Sequence, residues 1–175
     1  MRANQNRIAL ADLNQLGPAA FVEIIGPVFE HSPWIAAETW ARRPFASAEQ
    51  LLLALSATVR DAGQDRQLAL IRAHPDLVGR AALAGTLTAA STQEQASAGL
   101  NQLTPEEIAR FQTYNAAYQE KFGFPFVICA RLNRKEAILA GFEQRLQNAR
   151  AEEIQTALAE IYKIAALRLA DKLDG

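Results

Sequence analysis

The sequence predicts an all-α protein, and three observations carry that expectation. Apolar residues recur at steps of three and four, as in Ile154, Leu158, Ile161 and Ala165. The good helix formers Ala, Leu, Gln, Glu and Arg dominate the chain. No Asn-Gly or Asp-Gly pair sits between two strand-like runs. Pattern counting gives a single-domain bundle, residues 1–175, of about eight helices. No internal repeat, low-complexity tract or composition break marks a second domain.

The elements follow in order. "PAAFVEIIGPVF" spaces Phe21, Ile24, Ile25 and Phe29 helically, and Pro27 ends or kinks the segment. "SPWIAAETWARR" offers Ser32 as N-cap and Pro33 at the first helical position. "SAEQLLLALSATVRDA" and "DRQLALIRA" are two amphipathic stretches parted by Gly63. "STQEQASAGL" and "TPEEIARFQTYNAAYQEKFG" each open on a capping box, Ser91 with Glu94 and Thr104 with Glu107. "KEAILAGFEQRLQ" and a long "AEEIQTALAEIYKIAALRLADKL" complete the count. One stretch dissents. "FGFPFVICA", 122–130, is continuously apolar, and Pro125, Val127 and Ile128 favour an extended chain over roughly 124–130. It has no partner strand, so its main-chain polar groups need side chains, water or a flat polar ligand.

Composition narrows the function. Half the residues are hydrophobic (50%), 21% are charged, and the net charge is −1. No basic stripe invites nucleic acid or an anionic membrane surface. No apolar run is long enough to span a bilayer. The N-terminus "MRANQNRIAL" lacks the apolar core of a signal peptide, and the C-terminus carries no Ser-Lys-Leu address. The single cysteine, Cys129, forms no internal disulfide, and no Cys/His cluster has metal-ligand spacing. A cytoplasmic protein without metal is expected.

Three polar spots stand out. His74 meets Pro75 at the end of a helical pattern, and proline pushes the preceding residue out of helical geometry. The imidazole is then either a cation complementing the helix dipole or a reactive group. Ser91 and Glu94 are either a cap or, at a helix N-terminus, part of an anion-binding end. Arg168 lies three residues beyond Ala165 on an apolar stripe. There it must be paired, or reach to water along its stem, or anchor a carboxylate.

Taken together these spots resemble one family. "EHSPWIAAETWARRPF", "LIRAHPDLVGR", "STQEQASAGL", "YNAAYQEKFGFPFVICAR" and "ALAEIYKIAALRL", in this order, look like 2-oxo-4-hydroxy-4-carboxy-5-ureidoimidazoline (OHCU) decarboxylase. The resemblance runs from about residue 10 to residue 170 and implies the last enzyme between urate and allantoin. It implies His74 as catalytic proton donor and Glu94 as its carboxylate partner. Substrate contacts are implied for Pro75, for Ser91, Thr92, Gln93 and Gln95, and for Phe126, Val127, Ile128, Cys129 and Ala130. Arg168 matches a C-terminal arginine near the site. The implied enzyme is cofactor-free, acts on a small molecule and is a homodimer. Two other readings stay open: a non-catalytic helical ligand-binding module, and another cofactor-free lyase or hydrolase acting on a related ureido ring.

Overall fold

A computed structural model describes residues 7–174. Among them are ten α-helices, three short 3-10 turns and no strand. A single isolated bridge joins Ile8 and Leu173. The all-α expectation holds. All eight patterned segments are helical, and the two additional helices are six and five residues long, too short to display a period. No helix of the described residues is long and apolar enough to cross a membrane. The chain divides into two compact units, one comprising residues up to Ala73 and from Tyr162 onward, the other His74–Ile161.

The first unit contains α1 (Leu10–Gln15), α2 (Pro18–Ile25), α3 (Trp34–Thr39), α4 (Ala48–Asp61) and α5 (Gln64–Arg72). It also takes the second half of α10 (Arg150–Lys172). Pro27 sits in a 3-10 turn, Gly26–Val28, that ends α2 as the sequence predicts. Ser32 differs from expectation. Its hydroxyl donates to the Glu30 carbonyl, and Pro33 holds the cap position of α3 without a side-chain bond. The hydroxyl serves the preceding loop in place of the helix end. Helices α2, α3 and α4 pack in sequence. Their contact buries Phe21, Ile25, Ile35, Leu51, Leu55 and Val59 completely. Within this packing Thr39 and Thr58 are buried as a pair, their hydroxyls bonding each other at 2.7 Å.

The second unit contains α6 (Arg80–Ala84), α7 (Ala89–Ser97), α8 (Pro105–Phe122), α9 (Lys135–Arg145) and the first half of α10. The Thr104–Glu107 capping box is present with both reciprocal bonds. The box expected at Ser91 is not. Helix α7 starts three residues earlier, at a cap formed by Thr88, whose hydroxyl accepts from Ser91 N–H. Thr88-x-x-Ser91 offers the same hydroxyl geometry one turn upstream, and the longer helix wins by adding a turn of main-chain bonds. Helix α8 ends at Gly123, whose φ of +77° is the left-handed conformation that glycine reaches without a Cβ penalty.

Beyond Gly123 the chain is neither helix nor strand over 124–129, with Cys129 in an extended conformation, and then enters a 3-10 turn, Ala130–Leu132, so Ala130 belongs to the turn and not to the expected extended run. Phe124 and Phe126 drop into an aromatic core with Phe111, Tyr118, Phe122 and Phe142. The Phe126 and Phe142 rings stack at 3.8 Å. A charged cluster lies in that apolar core. Arg145 pairs with the fully buried Glu153 at 2.9 Å, covers the Phe126 ring at 4.2 Å and donates to the Val127 carbonyl at 2.7 Å. The Tyr118 hydroxyl and Asn148 Nδ2 also donate to Glu153. Burial and the neighbouring carboxylate push the Tyr118 phenol well above its ordinary range, so it stays a neutral donor.

Removing one partner of such a pair strands the other charge in the core. Arg145→Met is expected to cost about 3–5 kcal/mol, read as a shift of the urea midpoint. A cost under about 1 kcal/mol would show that Glu153 is not held by charge. Thr88→Ala is expected to cost about 1 kcal/mol in the same assay, and no change would return the cap to Ser91.

Candidate active site

Helix α5 stops at Arg72 with Ala73 as its cap, and His74 follows outside the helix. Pro75 explains the stop, because it lacks an N–H and disfavours helical geometry at His74. The His74 side chain is buried, with the residue 8% exposed. His74 is engaged by groups around it and sheltered from water, unlike a solvated helix-end side chain.

The loop after Pro75 is tightly specified. At Gly79 a Cβ would lie 2.5 Å from that of Asp76, so only glycine fits the turn. Val78 has a φ of +52°, an outlier for a β-branched residue that costs roughly 1–3 kcal/mol. The strain is offset by two side chains gripping the one peptide unit between Leu77 and Val78. Asn115 Nδ2 of α8 donates to the Leu77 carbonyl at 2.7 Å. The Val78 N–H donates to Gln95 Oε1 of α7 at 3.1 Å. Asn115 Oδ1 is buried with no partner among the described residues. Asn115 also borders a hollow of about 820 Å³, together with Asp76, Val78, Gly79, Gln112 and Gln119.

On α7, Ser91 and Gln95 lie one turn apart and are both buried, and Glu94 beside them is half-buried. Thr92 and Gln93 are exposed, and the Thr92 hydroxyl donates to the Thr88 carbonyl. This helix packs against the turn Ala130–Leu132. Burial pushes the Cys129 thiol above its usual range, and the Glu160 and Glu94 carboxylates add to the effect. A thiol so placed stays protonated and is no nucleophile.

Side chains satisfy the 124–129 segment's main chain. Val127 C=O accepts from Arg145, Cys129 N–H donates to Glu160 Oε2 at 2.8 Å, and Cys129 C=O accepts from Asn133 Nδ2 at 3.0 Å. Phe126 and Val127 are buried, and Ile128 is half-buried near Gly141. The second unit thus brings together the loop after Pro75, the buried face of α7 and the Phe126–Ala130 segment. Thr92 and Gln93 stand off that face. Arg168 belongs to the first unit. It is buried, paired with the buried Glu30 at 2.8 Å, and donates to Pro27 C=O at 3.4 Å. The pairing demanded by its apolar stripe is met by Glu30.

Sequence reasoning missed Arg145, Glu153, Glu160 and Asn115. Arg145 carried a legible signal. It falls on the stripe of Ile138 and Phe142, as Arg168 falls on that of Ala165. Asn115 carried the same signal, since it falls between Phe111, Tyr118 and Phe122 on the buried stripe of α8. Among the described residues, no three His, Cys, Asp or Glu side chains gather in a way that could hold a metal ion.

The profile of the OHCU decarboxylase family matches residues 14–170. The 2-oxo-4-hydroxy-4-carboxy-5-ureidoimidazoline decarboxylase of Halalkalicoccus jeotgali is 45% identical over 165 residues, covering 94% of this chain and 92% of that one. The protein of the same name from Amia calva is 44% identical over 162 residues, covering 93% of each. The crystal structure of an (S)-allantoin synthase superposes with a TM-score of 0.75 at 30% identity, over 95% of this chain and 54% of the other. With its profile spanning nearly the whole chain and relatives this similar over nearly their full length, the chain belongs to the OHCU decarboxylase family.

Proposed function

We propose that this chain removes CO₂ from 2-oxo-4-hydroxy-4-carboxy-5-ureidoimidazoline and returns a proton to one face of the ring, giving (S)-allantoin. Family membership supports the reaction class. The observation that supports these residues is the meeting, in one unit, of α7, which carries Glu94 and Gln95, with the turn that closes the 126–130 segment and, through the Val78–Gln95 bond, with the loop after Pro75.

The substrate explains why the reading needs no cofactor. The carbon that loses CO₂ carries a hydroxyl and adjoins a C=N bond. As the carbon–carbon bond breaks, its electron pair moves into that C=N, so the substrate holds its own electron sink. The ring nitrogen that receives the pair takes a proton, the hydroxyl gives up its own as its carbon becomes a carbonyl, and the carbon bearing the ureido group takes one, so the net uptake is a single proton. Most decarboxylases borrow such a sink from a cofactor. The protein need only orient the molecule and deliver the proton.

His74 is the proton donor in this reading, because an imidazole titrates near neutral pH. Glu94 orients the ring or holds the substrate hydroxyl. Pro75, Ser91 and Gln95 line the site, with Thr92 and Gln93 at its margin. The segment of Phe126, Val127, Ile128, Cys129 and Ala130 meets the flat amide edges of the ring through main-chain groups other than Val127 C=O and the Cys129 N–H and C=O, which Arg145, Glu160 and Asn133 hold. Arg168 is a carboxylate anchor only by the resemblance; its guanidinium is held by Glu30 within the first unit. The whole chain, 1–175, acts as one such domain, and the family profile spans both compact units. The protein is read as a cytoplasmic homodimer, as the resemblance implies, with no nucleic-acid or membrane partner.

His74→Ala is expected to abolish turnover of freshly generated OHCU while the far-ultraviolet circular dichroism stays native. Near wild-type rates would refute the role. Glu94→Gln is expected to keep the urea midpoint and lose at least about a hundredfold in kcat, the usual worth of a general acid–base group. Retained activity would make Glu94 structural. Sedimentation equilibrium is expected to report two copies per particle, and a monomer at assay concentration would overturn the dimer.

A further inference from the structure

We propose that Asn115 is a positioning residue that, through one peptide unit, fixes Gln95 as a hydrogen-bond donor toward the substrate. The inference rests on the proposed decarboxylase reading for what Gln95 touches, but not for how Gln95 is held.

The chain of contacts is short. Asn115 Nδ2 donates to Leu77 C=O at 2.7 Å, and Val78 N–H donates to Gln95 Oε1 at 3.1 Å. That carbonyl and that N–H belong to the same peptide plane, so the plane is gripped at both ends. The amide orientations are forced by chemistry. A carbonyl can be met only by the NH₂ end of Asn115, and an N–H only by the oxygen end of Gln95. The two residues sit on different helices, α8 and α7, and both are buried. The gripped plane is also the strained one, since Val78 is held at a φ of +52°.

The consequence concerns Gln95. A free glutamine amide can rotate and present either end to a ligand. Here the oxygen is committed to Val78, so the Nε2 donor pair is the end left for the substrate. A donor suits a group that is anionic or carbonyl-like, such as the departing carboxylate or a ring carbonyl. Asn115 sets this without touching the substrate. Without its bond the Leu77–Val78 plane is free to relax from the left-handed conformation, and its N–H turns away from Gln95. The unbonded Oδ1 of Asn115 fits the same view, because only the NH₂ half of this side chain has a partner to serve.

Four proteins test the inference: wild type, Asn115→Ala, Gln95→Ala and the double variant. Asn115→Ala is expected to lower kcat/KM for OHCU about tenfold or more in the wild-type background. In the Gln95→Ala background the same change is expected to matter less than about twofold, because the two act in one chain. Equal losses in both backgrounds overturn the proposal, since simple loss of folded protein multiplies independently. Amide hydrogen exchange supplies a readout that needs no activity. Asn115→Ala should speed exchange at Val78 while Phe111, in the same helix as Asn115, keeps its wild-type rate. Gln95→Glu should keep Val78 protected, because a carboxylate still accepts, yet lose turnover with the donor. Unchanged Val78 exchange in Asn115→Ala, or speeding at Val78 and Phe111 together, overturns the proposal. If wild type fails to turn over OHCU, the functional reading falls, and the exchange pattern alone decides whether the grip exists.

Discussion

The ion pair between Arg145 and Glu153 is the interaction on which the second unit depends. Gly123 and Pro125 forbid the helix to continue, and no strand among the described residues lies beside Phe124–Cys129. An irregular run in an aromatic core then faces a large desolvation cost at each main-chain polar group. The structure meets that cost with charged side chains. Arg145 takes the Val127 carbonyl, and Glu160 takes the Cys129 N–H. A guanidinium can do this in an apolar core only if its charge is itself matched, and Glu153, with Tyr118 and Asn148 behind it, provides the match. The cluster thus fixes the irregular segment where regular secondary structure would otherwise do so.

The loop after Pro75 shows the same logic on a smaller scale. Its glycine fits where no Cβ does, and its valine is held in a conformation it would not choose. Asn115 and Gln95 reach in from two helices to hold one peptide plane. Strain of this kind persists only where the surroundings over-determine it, and it concentrates beside functional groups. Here it lies four residues beyond His74, on the loop that carries the imidazole, and it shares a bond with the helix that carries Glu94. Rigid helices set the coarse positions, and amide pairs set the fine ones.

The fold class was legible because helical periodicity is long-ranged and redundant, as the four apolar residues of α10 show. The stop before His74 was legible because proline acts locally, whatever surrounds it. The caps of α3 and α7 were not. Ser32 and Ser91 both satisfied the local rule, but Thr88 satisfied it as well, and Ser32 had a carbonyl behind it to bond instead. A cap is chosen between near-equal neighbours, and the choice is made by packing that the local text does not contain. The pairing of Arg168 was legible as a need, whereas its partner Glu30, 138 residues away, was not. The same holds for Asn115 and Leu77, whose bond is a product of tertiary structure alone.

The proposed chemistry requires α7 and the 126–130 segment to form two walls of one substrate site. Titration of amide-labelled protein with (S)-allantoin tests that most directly. The main-chain signals of residues 91–95 and 126–130 are expected to shift together, with one affinity, and the mirror-image allantoin to shift them less. Shifts confined to one of the two segments, or equal shifts from both enantiomers, would contradict it.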